Sequence, residues 1–352
     1  MNVSRLSRRR LCMLAASTVF VAGCSTSAPA ASTTTIAPIS LPTATSSPVK
    51  GRLLITRTGN FFVFDLATLS ESELSHFPQG AFGASPALSP DRSRIAYTYY
   101  VVPKDQQDLG GSDLYLMDAG GENPRLVLAH DQPGASLQDP AWTADGQALL
   151  ATHRMPVYVQ QKYQGEKVEI VRVALDGSST TPIVADAQSP SASPDGKQIA
   201  YVTADQRGAP RKLWIADADG RGGRELLAAD SFTYLQAPRF APDGSRIAFA
   251  GVGGPPQQKA TSTTSLPFIR EVIGPSIAEA HGIPWEIWTV RPDGSDLRRL
   301  THIQEDSPIP VWSADGKWLA FAGEVGLYLV DAAGQQTIRL STRTSGGGLA
   351  WL

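Results

Sequence analysis

Five aspartates recur in one setting: Asp91, Asp145, Asp195, Asp243 and Asp315 each follow a Pro or Ala and open a tight turn, as in Pro194-Asp195-Gly196. Carboxylates repeated in this way could converge and move protons as general acids and bases. Three histidines also share a register, His76, His130 and His302 in "LSHFP", "LAHDQ" and "LTHIQ", and a set of imidazoles could hold a metal. Each pattern has a simpler explanation. An Asp at a tight turn accepts hydrogen bonds from the backbone N–H groups just after it, which is structural work. The third-strand aspartates Asp65, Asp118, Asp217 and Asp331 have the same explanation. The histidines fall just after the outermost strand of their repeats. Packed sheets stand about 10 Å apart, whereas Zn–N bonds are about 2.0–2.1 Å, so rim residues of different repeats do not share an ion.

Other motifs are no stronger. "DADG" at Asp217 to Gly220 resembles a calcium loop, but Arg221 and Ala228 stand where further acidic ligands are required. The chain contains no G-x-S-x-G elbow, no H-E-x-x-H and no G-x-x-x-x-G-K. The sequence therefore nominates no catalytic, cofactor-binding or metal-ligating residue.

The elements that carry these turns are strands. Measured between the marker aspartates, the repeats are 54, 50, 48 and 72 residues apart. A short strand centred on Leu88, Trp142, Ala192, Phe240 or Trp312 runs into the Asp turn, where Pro presets φ and Gly accepts a positive φ. A second strand follows ("IAY", "LLA", "IAF", "LAF"), then a third ("LYLMD", "LWIAD", "LYLVD") and a fourth ("RLVLA", "RELLA"). The opening stretch "GRLLITR…FFVFD…SELSH" matches strands two to four, and the terminal "LAWL" matches strand one with nothing after it. The expected fold is all-β. It is a six-bladed β-propeller of four-stranded antiparallel blades over 51–352, closed by the C-terminal strand pairing with the N-terminal strands. These repeats resemble the WD-like repeats of the TolB propeller family, which also occur in propellers of dipeptidyl-peptidase-type enzymes. The resemblance implies an extracytoplasmic binding scaffold.

Composition sets further bounds. The chain has 352 residues, 32 Gly, 26 Pro and only 18% charged residues, as in a turn-rich β protein. Net charge is −2 with four arginines in the leader, so no basic face for nucleic acid is expected. Residues 1–23 read as a signal peptide: Arg5, Arg8, Arg9 and Arg10 precede an apolar stretch too short for a span of about 20 residues. Val21-Ala22-Gly23-Cys24 resembles a bacterial lipobox, which implies lipid on Cys24 and attachment to the cell membrane or envelope. "SRRRL" fits the twin-arginine or the general export route. Residues 24–50, rich in Ser, Thr, Ala and Pro, read as a flexible tether.

Long connections follow strands two and four: 98–112, 152–167, 203–212 and the insertion 251–284, against uniformly short turns elsewhere. Irregular connections are where contact residues concentrate. The expected partner face comprises Asp139, Phe232, Tyr234, Gln236, Phe268, Ile269, Glu305 and Asp306. Its partner would be protein, peptide or glycan, with the chain monomeric. The alternative is a lyase or hydrolase acting on polysaccharide or peptide in the propeller funnel.

Overall fold

A computed structural model describes residues 41–103, 109–204, 210–228, 231–255, 285–303, 305–323, 326–343 and 346–352. The chain divides into two compact units, Met1–Ala37 and Pro38–Leu352, and every described residue lies in the second. Among these residues there is no helix. Short runs of Val, Ile, Leu, Phe, Tyr and Trp between Gly, Pro and Asp turns leave strands as the elements that form.

One sheet is β1 (Arg52–Arg57), β2 (Asn60–Asp65) and β3 (Ser70–Ser75), with β24 (Leu349–Trp351) paired to β1 in the order β24-β1-β2-β3. The register sets Leu53 against Trp351, Leu54 against Ala350 and Ile55 against Leu349, antiparallel. The expected pairing of the last strand with the first is thus present. Three more four-stranded sheets run in sequence order. They are β12 (Ala187–Ala192), β13 (Gln198–Ala204), β14 (Pro210–Asp217) and β15 (Arg224–Glu225); β16 (Phe232–Phe240), β17 (Ile247–Gly253), β18 (Glu286–Val290) and β19 (Arg298–Arg299); and β20 (Ile309–Trp312), β21 (Trp318–Ala322), β22 (Leu327–Asp331) and β23 (Thr337–Ser341).

The remaining strands form one eight-stranded sheet where two of four were expected. It contains β4 (Ala81–Leu88), β5 (Arg94–Val101), β6 (Ser112–Asp118) and β7 (Arg125–Leu128), with β8 (Ser136–Trp142), β9 (Ala148–Val159), β10 (Lys162–Ala174) and β11 (Thr180–Ala185). Its two halves meet at a single parallel pair, Ser112 with Ser136. The Ser112 N–H donates to the Ala135 carbonyl at 3.2 Å and its hydroxyl to the Leu137 carbonyl at 3.1 Å.

The first strands β24, β4, β8, β12, β16 and β20 each touch the next, and β20 touches β24. Six apolar clusters fill the spaces between successive sheets and, in one case, between the two halves of the eight-stranded sheet. One joins Leu53, Ile55 and Trp351 to Val311 and Leu329, and another joins Tyr234 and Ile287 to Trp312 and Phe321. Strands two and three bury both faces over much of their length, so they carry continuous apolar runs such as Leu319–Ala322, every residue of which is buried.

The turns after the first strands are self-contained. Asp195 Oδ1 accepts from the Ser193 hydroxyl at 2.6 Å and from the Lys197 N–H at 3.1 Å, and Asp91, Asp145 and Asp315 repeat both bonds. The Ser89 hydroxyl and the Ser93 N–H hold the Asp91 carboxyl down to about 2. Two other segments differ from the sequence reading. Residues 152–167 form no loop: β9 and β10 stay paired out to Val159 and Lys162 and turn at Gln160-Gln161, both with positive φ. Such a two-residue turn matches strand twist, and Val157, Tyr158, Val159 and Tyr163 favour extended backbone. Within residues 41–50, assigned by composition to the tether, Thr43 pairs with Arg339 of the outer strand β23, and the Ala44 N–H donates to the Arg339 carbonyl at 2.8 Å.

Candidate functional site in the central channel

Four of the six first strands carry an irregularity that shapes the space between them, whereas the β20–β21 ladder runs without a slip. In β4, β8, β12 and β16 the ladder slips between Ala84 and Ala87, Gln138 and Ala141, Gln188 and Ser191, and Gln236 and Arg239. The skipped pairs are Ser85-Pro86, Asp139-Pro140, Ser189-Pro190 and Ala237-Pro238, and the residue before each Pro has φ between 48 and 53°. Pro has no N–H to give a ladder, so a bulge is the place where it costs least. β24 has Gly348 in the same position, with φ of 95°.

The bulge gathers polar side chains from three strands. Asp139 accepts from the Ser189 hydroxyl at 3.0 Å, the Ser85 hydroxyl at 3.3 Å and the Thr152 hydroxyl at 3.5 Å. Of the sequence-nominated residues, Asp139 is therefore tied to β4, β9 and β12. Gln236 is half-buried and its amide donates to the Pro308 carbonyl at 3.5 Å. Asp306 is half-buried and accepts from the Ser307 hydroxyl at 3.1 Å. Three others sit deep. Phe232 is edge-on to Phe249 and Trp288 with centroids 5.3 and 5.1 Å away, and Tyr234 packs on Trp285 at 6.2 Å. Glu305 is buried beside Tyr328, whose hydroxyl is pushed upward by desolvation and then by this carboxylate. Phe268, Ile269 and Cys24 lie outside the described residues.

Beyond the bulge, the first strands border an open cavity of about 480 Å³ that reaches the short first turns, where Pro90, Ala144, Pro194 and Pro242 line it. Trp142, Trp312 and Trp351 contribute aromatic wall. Two of these indoles tie neighbouring first strands together: Trp142 Nε1 donates to the Ala87 carbonyl at 2.9 Å and Trp312 Nε1 to the Arg239 carbonyl at 3.0 Å. The position after the bulge is Ala87, Ala141, Ser191 and Arg239, its counterparts in β20 and β24 are Val311 and Ala350, and all six line the cavity. Arg239 is the one charged residue among the described lining residues. Its guanidinium donates to the Pro238 carbonyl at 2.9 Å. Burial lowers its pKa, with the Asp139 carboxylate acting in the opposite direction; an arginine nevertheless remains a cation.

The histidines are separate. His76 meets Glu73 at 3.0 Å, and His130 meets Asp113 at 2.6 Å. His153, which the sequence reading passed over, lies between Asp131 at 3.2 Å and Glu169 at 3.8 Å, and Lys167 meets Glu169 at 2.8 Å. Among the described residues no three or more His, Cys, Asp or Glu side chains are grouped to hold a metal.

No family model matches the chain. Part of it, 144 residues or 40% of its length, is 29% identical to a protein described as "Protein TolB homolog" from Chlorobium luteolum, and the match spans 27% of that relative. Among solved structures, TolB from Acinetobacter baumannii is similar over 86% of this chain and 66% of its own, with TM-score 0.59 and 17% identity. A chain of a nidogen/laminin complex is similar over 85% of this chain and 97% of its own, with TM-score 0.60 and 14% identity. The putative TolB from Agrobacterium tumefaciens covers 78% of this chain and 86% of its own, with TM-score 0.50 and 18% identity. These likenesses show the fold alone, an all-β propeller.

Proposed function

We propose that this chain is a six-bladed, non-enzymatic propeller scaffold that binds a protein, peptide or glycan through one face, held at a cell membrane by lipid on Cys24. The count of six treats the eight-stranded sheet as two blades, because only Ser112 and Ser136 join its halves. The TolB homolog match supports an extracytoplasmic location.

The face is chosen by where apolar side chains meet solvent. Of the eight large hydrophobic residues exposed in the described structure, seven lie at or beyond the ends of second strands: Val101, Val102, Leu109, Val157, Tyr158, Val159 and Tyr163. Clustering at one end of the sheets, including the tip of a projecting hairpin, marks a contact surface better than scattered exposure would. Tyr158 and Tyr163 face each other across the hairpin with centroids 5.9 Å apart, a pair that offers apolar area together with hydroxyls. Asp139, Gln236 and Asp306 complete the proposed face toward the axis, with Phe232, Tyr234 and Glu305 supporting it from the core; Phe268 and Ile269 of the insertion belong to the same proposal.

Two experiments separate binding from tethering. A photo-reactive residue at Tyr158 or Tyr163 should cross-link one envelope component, and a probe at Gln335, in the turn between third and fourth strands on the opposite side, should not. Equal labelling from both positions rejects the face. Cys24→Ala should move the protein out of the membrane fraction or stall its processing; unchanged fractionation rejects the anchor.

A further inference from the structure

The post-bulge ring contains an anomaly that neither the fold nor the proposed contact face requires. Five of its six members are Ala, Ser or Val, so small side chains satisfy the sheets at that position. The sixth is Arg239, whose charge stands in a wall of proline, tryptophan and alanine. No described carboxylate lies within ion-pair distance of it, and the Pro238 carbonyl takes one of its five N–H donors. Arg239 is half-buried, and a partly desolvated cation gains from an anion that compensates it. The five small neighbours meanwhile keep about 480 Å³ open in front of it.

We infer that the central channel is a binding site for a small organic carboxylate, with Arg239 as the anchoring group. A guanidinium presents paired donors that match the two oxygens of a carboxylate. The apolar walls from Trp142, Trp312, Trp351 and the prolines weaken competition from water and favour an organic body over a bare inorganic ion. Ser191 adds a hydroxyl on the same wall. The cavity opens toward the short first turns, at the opposite end from the Tyr158–Tyr163 hairpin, so this site and the proposed contact face can fail independently.

Isothermal titration of the purified full chain tests the inference, with indole fluorescence as a second readout because three tryptophans line the cavity. The probes are benzoate, hexanoate and 3-phenylpropionate, with 3-phenylpropan-1-ol as the neutral counterpart and inorganic phosphate as competitor. At least one carboxylate should bind, and the alcohol should bind at least about tenfold more weakly, since hydrogen bonds to a charged group are among the stronger ones. Arg239→Ala should erase that preference while leaving the circular dichroism spectrum and the melting temperature no lower, because three repeats already carry Ala there. Arg239→Lys should retain part of it. Absence of binding by all three carboxylates, equal affinity for acid and alcohol, or full binding by Arg239→Ala would overturn the site. Displacement by equimolar phosphate would overturn its organic specificity.

Discussion

Replacing Trp312 by Phe isolates the bond that ties β20 to β16. The indole Nε1 reaches the Arg239 carbonyl at 3.0 Å, and Trp312 is 8% exposed. The substitution keeps a ring in the wall but removes the donor, leaving that carbonyl without its indole partner. An unmet acceptor of this kind costs about 1–3 kcal/mol, and the lost part of the indole adds about 1 kcal/mol of apolar burial. The sum, about 2–4 kcal/mol, is a sizeable share of the total stability of about 5–15 kcal/mol typical of a folded protein. Urea unfolding followed by circular dichroism should show a lower midpoint at unchanged slope. Trp142→Phe should behave alike, because its indole bonds the Ala87 carbonyl at 2.9 Å. The double variant should be additive, the two bonds joining different strand pairs. Trp214→Phe is the control: its Nε1 is buried without a partner and its ring stacks on Tyr201, so losing the N–H should cost little. If Trp312→Phe and Trp214→Phe cost the same, the indoles contribute bulk alone and the reasoning fails.

Ending the chain after Gly346 strips β24 from β1 and unburies Leu53, Leu54 and Ile55, each 0% exposed. Loss of buried Leu and Trp side chains costs about 3–5 kcal/mol each, so this variant should unfold cooperatively at a far lower temperature or fail to accumulate. Gly83→Ala should lose about 1–3 kcal/mol, since an added Cβ would sit 2.6 to 2.8 Å from the rings of Phe77 and Phe61; an unchanged melting temperature would show that the rings can withdraw. Asp91 is held near 2 by the Ser89 hydroxyl and Asp296 near 2 by Arg246 and Arg298, both below the usual 3.8. Their contribution is complete above about pH 4 and is lost as pH falls through 2, so Asp91→Asn should flatten the acid limb of a stability–pH curve; an identical limb would place the acid sensitivity elsewhere.

Much of this was legible in the residues because the repeat carries its own punctuation. Pro-Asp-Gly turns, alternating with runs such as "LYLVD", define strand order, and the unmatched "LAWL" points to its partner "LLI". The eight-stranded sheet was not legible, since one parallel pair at Ser112 and Ser136 leaves no pattern in the chain. The hairpin at 152–167 was misread because its polar tip, Gln160-Gln161, lacks the Asn-Gly or Asp-Gly expected of such a turn. Arg239 was available to inspection: aligned on the turn aspartates, "APRF" places Arg where "SPAL", "DPAW" and "SPSA" place Ala or Ser. One arginine among small residues carries no motif, whereas acids, histidines and long loops mark the rim. Phe232 and Tyr234 have a related explanation. A sequence does not say how far a strand extends, and β16 begins early enough to carry both into the core.

The bond between Thr56 and Gly348 joins residues 292 positions apart. Ribosomes add about 5–20 residues per second, so the first strand made would wait about 15–60 s for its neighbour to exist at all. Through that interval its edge stays open to any other extended chain. Completion of the ring is thus a timed event, governed by the emergence of Leu349–Trp351, and a message that stalled before them would leave the first sheet with an adhesive margin.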